Sequence, residues 1–430
     1  MHEELFEFLN HSYSPYHNVN NIKSLLLKEG FIELKEEDEF NLEKGKNYFV
    51  IRNYTSIIAF KVGKNVDGSS HFQLVASHSD SPTFKIKDHI YNEIAGVNKL
   101  TVEPYGGMIN STWLDKPLSI AGRIIVSQDN VLKTKLYASH QDLCIIPNLA
   151  IHMNRDINDG FKYNPQIDLC PIIGEENKDN ILETLLKKEI NEGESLVNYD
   201  LFLYNRQKAC KIGINDDFIA APKLDDLASS FATLKGFIAS NNDEVINVYC
   251  CFDNEEVGST SINGADSNFL DVTLKRIYLA FDHNIDHYFA ALARSFLISA
   301  DNAHAMHPNH PEKTENDSKV LLNHGVVIKH NANMRYCSDS LSSSLIKKLL
   351  EKEGLEAQEY FNRSDIRGGG TLGNISISHV SILSVDIGLP QLAMHSSYET
   401  MGSKDYLDMI KLIKVFMDTN IKINQEEATF

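Results

Sequence analysis

The sequence predicts an α/β protein with a β-rich unit inserted into it, and three observations carry that reading. Short β-branched and aromatic runs alternate with segments of helical apolar spacing in 1–89 and again in 221–430. Between 90 and 220, strand-like segments follow one another through turns rich in Gly, Asn and Asp, with few strand–helix pairs. Several predicted strands also run directly into His, Asp or Glu, at the strand ends where open α/β sheets hold ligands. A length of 430 residues fits two to three domains. The division read here is 1–89 and 221–430 as two parts of one domain, with 90–220 inserted between them.

From the amino terminus, Leu5, Phe8 and Leu9, then Ile22, Leu25, Leu26 and Leu27, mark two helices broken at Ser14-Pro15 and closed by Gly30. Strands follow at 48–52, 56–61 and 72–77, the last entering His78-Ser79-Asp80-Ser81-Pro82. A histidine leaving a strand suits a metal site, and Asp80 can accept its second N–H; a turn that merely contains both residues is the alternative. The insert offers strands at 99–104, 118–127 and 201–204 and one helix at 180–190. It also holds His152, which has no carboxylate near it in sequence and reads by default as an ordinary core or surface histidine.

After the insert, Asp225-Asp226 opens a helix over 227–240, where aspartate is a common cap. A strand-to-helix turn can equally hold a carboxylate that bridges two metals. The strand Val245–Phe252 leads into Asp253-Asn254-Glu255-Glu256-Val257-Gly258-Ser259. Adjacent glutamates gain little in a plain turn, but around a dication one ligates and the other takes a proton from water. A strand is predicted at 274–281, a helix at 285–295, and a strand at 295–300 that runs into Asp301. His304, His307 and His310 follow in a loop, since Pro308 and Pro311 deny them a helix, and one or two of them are expected to contact substrate. A strand at 326–329, a helix at 338–354, a strand at 382–387 and a closing helix at 406–421 complete the chain, with His395 in the turn before the last helix. The glycine-rich turn 368–373 lacks a Gly-Lys-Ser/Thr ending and is not read as a nucleotide loop.

Composition narrows the function classes. A formal net charge of −18 argues against nucleic acid or an anionic membrane as partner. No apolar run approaches the roughly 18 residues needed to span a bilayer, and the acidic start has no signal-peptide pattern. Six cysteines without CxxC spacing, two of them inside a strand, fit reduced thiols in a cytoplasmic protein.

His78, Asp225, Glu255, Glu256, Asp301 and His395 thus stand just beyond strands or at a helix start. Two histidines and three carboxylates can supply a dinuclear zinc site, one carboxylate shared and a His with an acid completing each side, which leaves one glutamate as base. The stretches His78–Pro82, Leu149–Arg155, Pro222–Asp226, Asp253–Ser259, Ser299–Asn309 and Gln391–Ser396, in this order, resemble the aspartyl-aminopeptidase family of dizinc metallopeptidases. The resemblance implies a zinc-exopeptidase-like catalytic domain, a mixed central sheet flanked by helices, with the insert as a dimerisation domain in a tetrahedral dodecamer. It implies His78, Asp225, Glu256, Asp301 and His395 as ligands of two Zn2+ per subunit, Asp225 bridging, with Co2+ or Mn2+ as substitutes. Glu255 becomes the general base and Asp80 the partner of His78. His152 reaches a neighbouring subunit's site to hold the substrate carbonyl, against its default reading. Family members of eukaryotic type carry Asp-Asn where this chain has Asp225-Asp226, a difference beside the ligand. The expected substrates are peptides with a free amino terminus. For an acidic first side chain, Lys329, Arg335 and Arg367 are the available cations, with His304 a further substrate contact. The rival readings are a carboxypeptidase or deacylase of the same architecture, and a metal-stabilised assembly protein without catalysis.

Overall fold

The nine-stranded sheet at the centre of the molecule places Ile32–Leu34, Asn47–Arg52, Ser56–Val62, Ile246–Phe252, Phe72–His78, Phe296–Ala300, Leu383–Gly388, Val327–His330 and Gln358–Phe361 side by side in that order. The structure is a computed structural model that describes residues 1–430 apart from 176–180, 283, 367 and 425, and, of 88–93, the backbone only. The four strands Ile246–Phe252, Phe72–His78, Phe296–Ala300 and Leu383–Gly388 are mutually parallel, while Ser56–Val62 and Val327–His330 pair against them in the antiparallel sense. The sheet is therefore mixed, as expected.

Central strands buried on both faces need apolar side chains at every position, not at alternate ones. Ile246–Phe252 meets this except at Asn247, whose amide donates to the Met417 carbonyl at 2.9 Å: Tyr249 and Cys251 enter one apolar layer, and Val248, Cys250 and Phe252 the other. The first layer is covered by the helices His2–His11, Pro15–Lys28, Leu224–Ala239, Ser340–Lys352 and Asp405–Asp418. The second is covered by Phe269–Leu279, Ile285–Ala293 and Leu372–His379.

One sequence expectation is corrected here. The segment 274–281 lies mostly in the helix Phe269–Leu279. Its buried residues Phe269, Leu270, Thr273, Leu274, Ile277 and Tyr278 fall at three- and four-residue spacing. A window opened at Leu274 misses the first turn, so the aromatic and β-branched content suggests a strand.

A second sheet is antiparallel, in the order Val131–Ala138, Leu118–Gln128, Ser195–Asn205, Thr83–Ile94, Val97–Tyr105 and Ile172–Glu175. It has its own core of Phe84, Trp113, Leu118, Ile120, Ile124 and Leu201, among others. The helix expected at 180–190 is Ile181–Leu186 followed by a 3-10 turn, Lys187–Glu189; residue 180 lies outside the described residues. A third sheet joins Cys210–Ile212, Phe218–Ala221, Glu399–Gly402, Pro390–Leu392 and Ala303–His304. Among the described residues no helix is long and apolar enough to cross a membrane.

Candidate active site

Parallel strands end together, and here the shared end is acidic. His78 is the last residue of Phe72–His78 and is in register with Phe252. Glu255 and Glu256 follow Phe252 in a single 3-10 turn, and Asp301 follows Ala300. The third sheet brings the rest: Asp225 comes just after Phe218–Ala221, and His395 lies in the turn between Pro390–Leu392 and Glu399–Gly402. Asp225 (φ −83°, ψ 108°) and Asp226 (φ −115°, ψ 20°) are not helical, and neither side chain caps the helix that follows.

The six groups converge. Asp225 lies between the two histidines, with Oδ1 3.6 Å from His78 Nε2 and Oδ2 3.5 Å from His395 Nε2. Asp301 Oδ1 lies 3.9 Å from His78 Nε2, and Glu256 Oε2 3.4 Å from His395 Nε2. Ligand atoms of His78, Asp225, Asp226 and Asp301 lie within 4.8 Å of one another, as do those of Asp225, Glu256 and His395, and those of His78, Glu255 and Glu256. The Nδ1 atoms of the histidines face oxygens that only accept: His78 the Asp80 carbonyl (3.2 Å) and carboxylate (3.3 Å), His395 the Gly107 carbonyl (2.6 Å). Each Nδ1 therefore carries a proton, which leaves Nε2, facing the carboxylates, as the nitrogen that could take a cation.

Charge in so tight a cluster shifts every group. Burial alone would lower the His78 imidazole, but Asp225, Asp226 and Asp80 outweigh it and hold it well above its ordinary value. His395 is raised to about 9, its burial overcome mainly by Asp225. The same two histidines outweigh burial at Asp225 and hold it well below the usual carboxylate range. Burial pushes Glu255 up to about 8, opposed by His78 and reinforced by Asp301, Asp80 and Asp225. Glu256 goes well above its usual value through burial and Asp225. Asp301 rises to about 6, with Lys329 opposing its burial.

The residues fit a metal. Asp225 Oδ1 and Glu256 Oε1 are buried and have no hydrogen-bond partner among the described residues. Such oxygens are costly unless they meet a cation. Imidazole nitrogen with carboxylate oxygen is also a donor set that zinc takes.

Three further buried carboxylates grip the backbone of the cluster. Asp80 accepts the N–H of Glu255 and of Glu256, each at 3.2 Å. Asp226 accepts the N–H of His78 at 3.2 Å, and Glu399 accepts those of Asp225 (3.0 Å) and His395 (2.7 Å). The sequence reading gave Glu399 no role, because it acts through two backbone groups far apart in the chain and leaves no local signature.

A cavity of about 330 Å3 opens beside the cluster, lined also by His304, Lys329, Tyr336, Tyr360, Gly370 and Met394. Lys329 donates to the carbonyls of Asp301 (2.7 Å) and Asn302 (3.2 Å), so its ammonium steadies the Asp301 turn at the cavity wall. The His304 ring stands 6.1 Å from that of Tyr360. His307 and His310 are exposed and do not line the cavity. Arg335 lines the adjoining cleft with Phe361 and Asn362, and Arg367 lies outside the described residues. His152 stands in an exposed turn beside exposed Leu149, Ile151 and Met153, away from this cavity's lining.

The family model of the aminopeptidase I zinc metalloproteases, M18, matches residues 8–417. The chain belongs to the M18 family. A probable M18 family aminopeptidase 2 of Clostridium acetobutylicum is 44% identical over 424 residues, spanning 96% of this chain and 98% of that protein. One from Pseudomonas putida is 38% identical over 419 residues, 96% of each chain. Among solved structures, a chain of the Ape4 and Nbr1 complex superposes with a TM-score of 0.93 at 34% identity, covering 96% of this chain and 85% of that one. A chain of the S. cerevisiae mApe1 dodecamer does so with a TM-score of 0.83 at 28% identity, covering 96% and 95%. Coverage near the full length of both sequences extends the likeness to the three sheets as well as the cluster. As an M18 member the protein is a metallo-aminopeptidase, a hydrolase acting on peptide bonds, which decides against the carboxypeptidase, deacylase and non-catalytic readings.

One substitution tests the outer contacts of this M18 site. Burial pushes the Asp226 carboxyl well above its ordinary value, opposed by His78 and reinforced by Asp301 and Asp225. Asp226→Asn keeps an acceptor for the His78 N–H and is expected to retain activity close to the parent's. Asp226→Ala leaves that buried N–H unpaired and is expected to cost about 1–3 kcal/mol in stability by denaturant unfolding.

Proposed function

We propose that the protein is a dinuclear zinc aminopeptidase, with His78, Asp301 and Asp225 holding one ion and His395, Glu256 and Asp225 the other. The observation that carries this reading is Asp225, a buried carboxylate with one oxygen toward each histidine. Two single-ion sites would have no need of a shared, centrally placed anion. Co2+ and Mn2+ accept the same donors and substitute for zinc.

Zinc, when bound, supplies a water of lowered pKa and polarises the peptide carbonyl. Glu255 takes the proton from the attacking water and returns it to the leaving amine. Its carboxyl lines the cavity, and a pKa lifted by burial toward 8 suits a group that must both accept and give. Asp80 holds His78 in its coordinating tautomer. Lys329 and His304 meet the substrate, Lys329 also keeping Asp301 in place. Peptides with a free amino terminus are the substrates, the α-amine being anchored at the cluster.

The segment 90–220 serves as a dimerisation domain between two catalytic parts, 1–89 and 221–430, and the protein assembles as a tetrahedral dodecamer of dimers. Likeness to the mApe1 dodecamer supports this. So does the exposed apolar turn around His152, which fits a surface that reaches a neighbouring copy and helps hold its substrate carbonyl. Six free cysteines suit a cytoplasmic enzyme.

The test is a panel of amino-acid p-nitroanilides run with free and with acetylated α-amines on the zinc enzyme. Hydrolysis of the free series with loss of about a hundredfold or more on acetylation is expected, since a buried anchoring group left without its partner discriminates strongly. Equal rates on both series would remove the amine anchor. The same panel ranks acidic, neutral and basic first residues.

A further inference from the structure

The strand Val97–Tyr105 leaves the antiparallel sheet at the metal cluster, and the three residues at its exit touch both halves of it. The Tyr105 hydroxyl donates to Asp80 Oδ2 at 2.7 Å. It also accepts from Asn254 Nδ2 at 2.9 Å, which leaves its own proton committed to Asp80. Burial, reinforced by the Asp80 and Asp253 carboxylates, raises the phenol far above its usual value, so it stays a donor. Asp80 in turn holds His78 Nδ1 and the N–H groups of Glu255 and Glu256. Gly106 follows with φ +75°, and a Cβ there would stand 3.1 Å from Glu256 Cβ and 3.4 Å from Pro82. The Gly107 carbonyl accepts His395 Nδ1 at 2.6 Å, and the N–H of Ile109 donates to the His395 carbonyl at 3.0 Å.

We infer that Tyr105-Gly106-Gly107 is the positioning element of both metal subsites, with Tyr105 the residue that fixes the Asp80–His78 pair. The inference rests on the two-zinc reading above. Through Gly107 the segment sets the tautomer of His395 directly. Through the Tyr105 hydroxyl it sets that of His78 by way of Asp80. Gly106 lets the chain pass close enough to Glu256 to do both. The antiparallel sheet thereby completes the outer contacts of a site whose ligands all come from the other two sheets. Tyr105 touches no reacting atom; it acts through Asp80.

The test compares full-length Tyr105→Phe with Tyr16→Phe. Tyr16 presents a second, buried phenol to the polar cavity that Tyr105 lines, and among the described residues its hydroxyl bonds only Asp200, at 3.4 Å. Zinc dissociation constants are measured by competition with a chromophoric chelator, and thermal unfolding is recorded on the stripped proteins. Tyr105→Phe is expected to bind its weaker zinc about 10-fold or more less tightly, the size usual for an outer partner of a ligand, while the stripped protein still unfolds in one cooperative transition and Tyr16→Phe matches the parent in zinc affinity. Gly106→Ala, which moves the Gly107 carbonyl, is expected to weaken zinc at least as much. Zinc affinities of Tyr105→Phe within about twofold of the parent, or an equal loss in Tyr16→Phe, overturn the inference. A parent that binds no zinc overturns the metal reading beneath it instead.

Discussion

Glu255→Gln is expected to keep its zinc and lose about a hundredfold to ten-thousandfold in kcat, the range that a positioned proton acceptor contributes. The structure makes this substitution unusually clean. The Glu255 backbone N–H is the part that Asp80 holds, and glutamine keeps it. No hydrogen bond or ion pair among the described residues fixes the carboxyl itself, and glutamine keeps its size and shape, so the substitution breaks no polar contact there. Of the cluster's carboxylates, Glu255 lies near neither Asp225 nor His395 in a shared ligand group, only near His78 and Glu256. Steady-state kinetics paired with metal analysis of the same preparation reads the result. A fall in kcat with KM and zinc content preserved identifies a group used in the transition state. Turnover equal to the parent's would remove Glu255 from proton transfer.

Asp225→Asn should fail differently, by losing metal. Its carboxylate is held strongly ionised by two imidazoles while burial drives Glu256 and Asp301 toward the neutral acid. An amide at this position presents N–H donors to a nitrogen or a cation on one side and loses the anion that both halves share. Zinc affinity is expected to fall by more than the roughly 100-fold upper range of outer partners, at both positions together. Chelator competition measures it, and excess zinc is expected to restore part of the activity of Asp225→Asn but none of that of Glu255→Gln. Loss of one zinc with the other unaffected would show that Asp225 serves a single ion. Asp226→Asn, one residue on, supplies the contrast.

Much of this site was legible because its residues announce themselves where strands stop. His78, Glu255, Glu256 and Asp301 each follow a short, largely apolar run rich in β-branched or aromatic residues that reads as a buried strand, and polar groups there are conspicuous. Asp225 was ambiguous in sequence, since an aspartate before a helix is so often a cap; the extended backbone at that position shows it is not one here. Glu399, Tyr105 and Gly107 could not be read. Their partners are backbone atoms or residues from a different sheet, and no spacing encodes a contact between Tyr105 and Asp80 or between Gly107 and His395. The helix Phe269–Leu279 was misread because a short apolar stretch fits both periods until its first turn is included.

The cluster draws on segments from His78 to His395, joined through three sheets. Translation therefore has to pass the last of them before the cluster can assemble. A nascent copy that stops short of that turn lacks His395, one of the five ligands of the proposed two-zinc site, so the linear order of the message itself delays completion of that site until the chain is nearly whole.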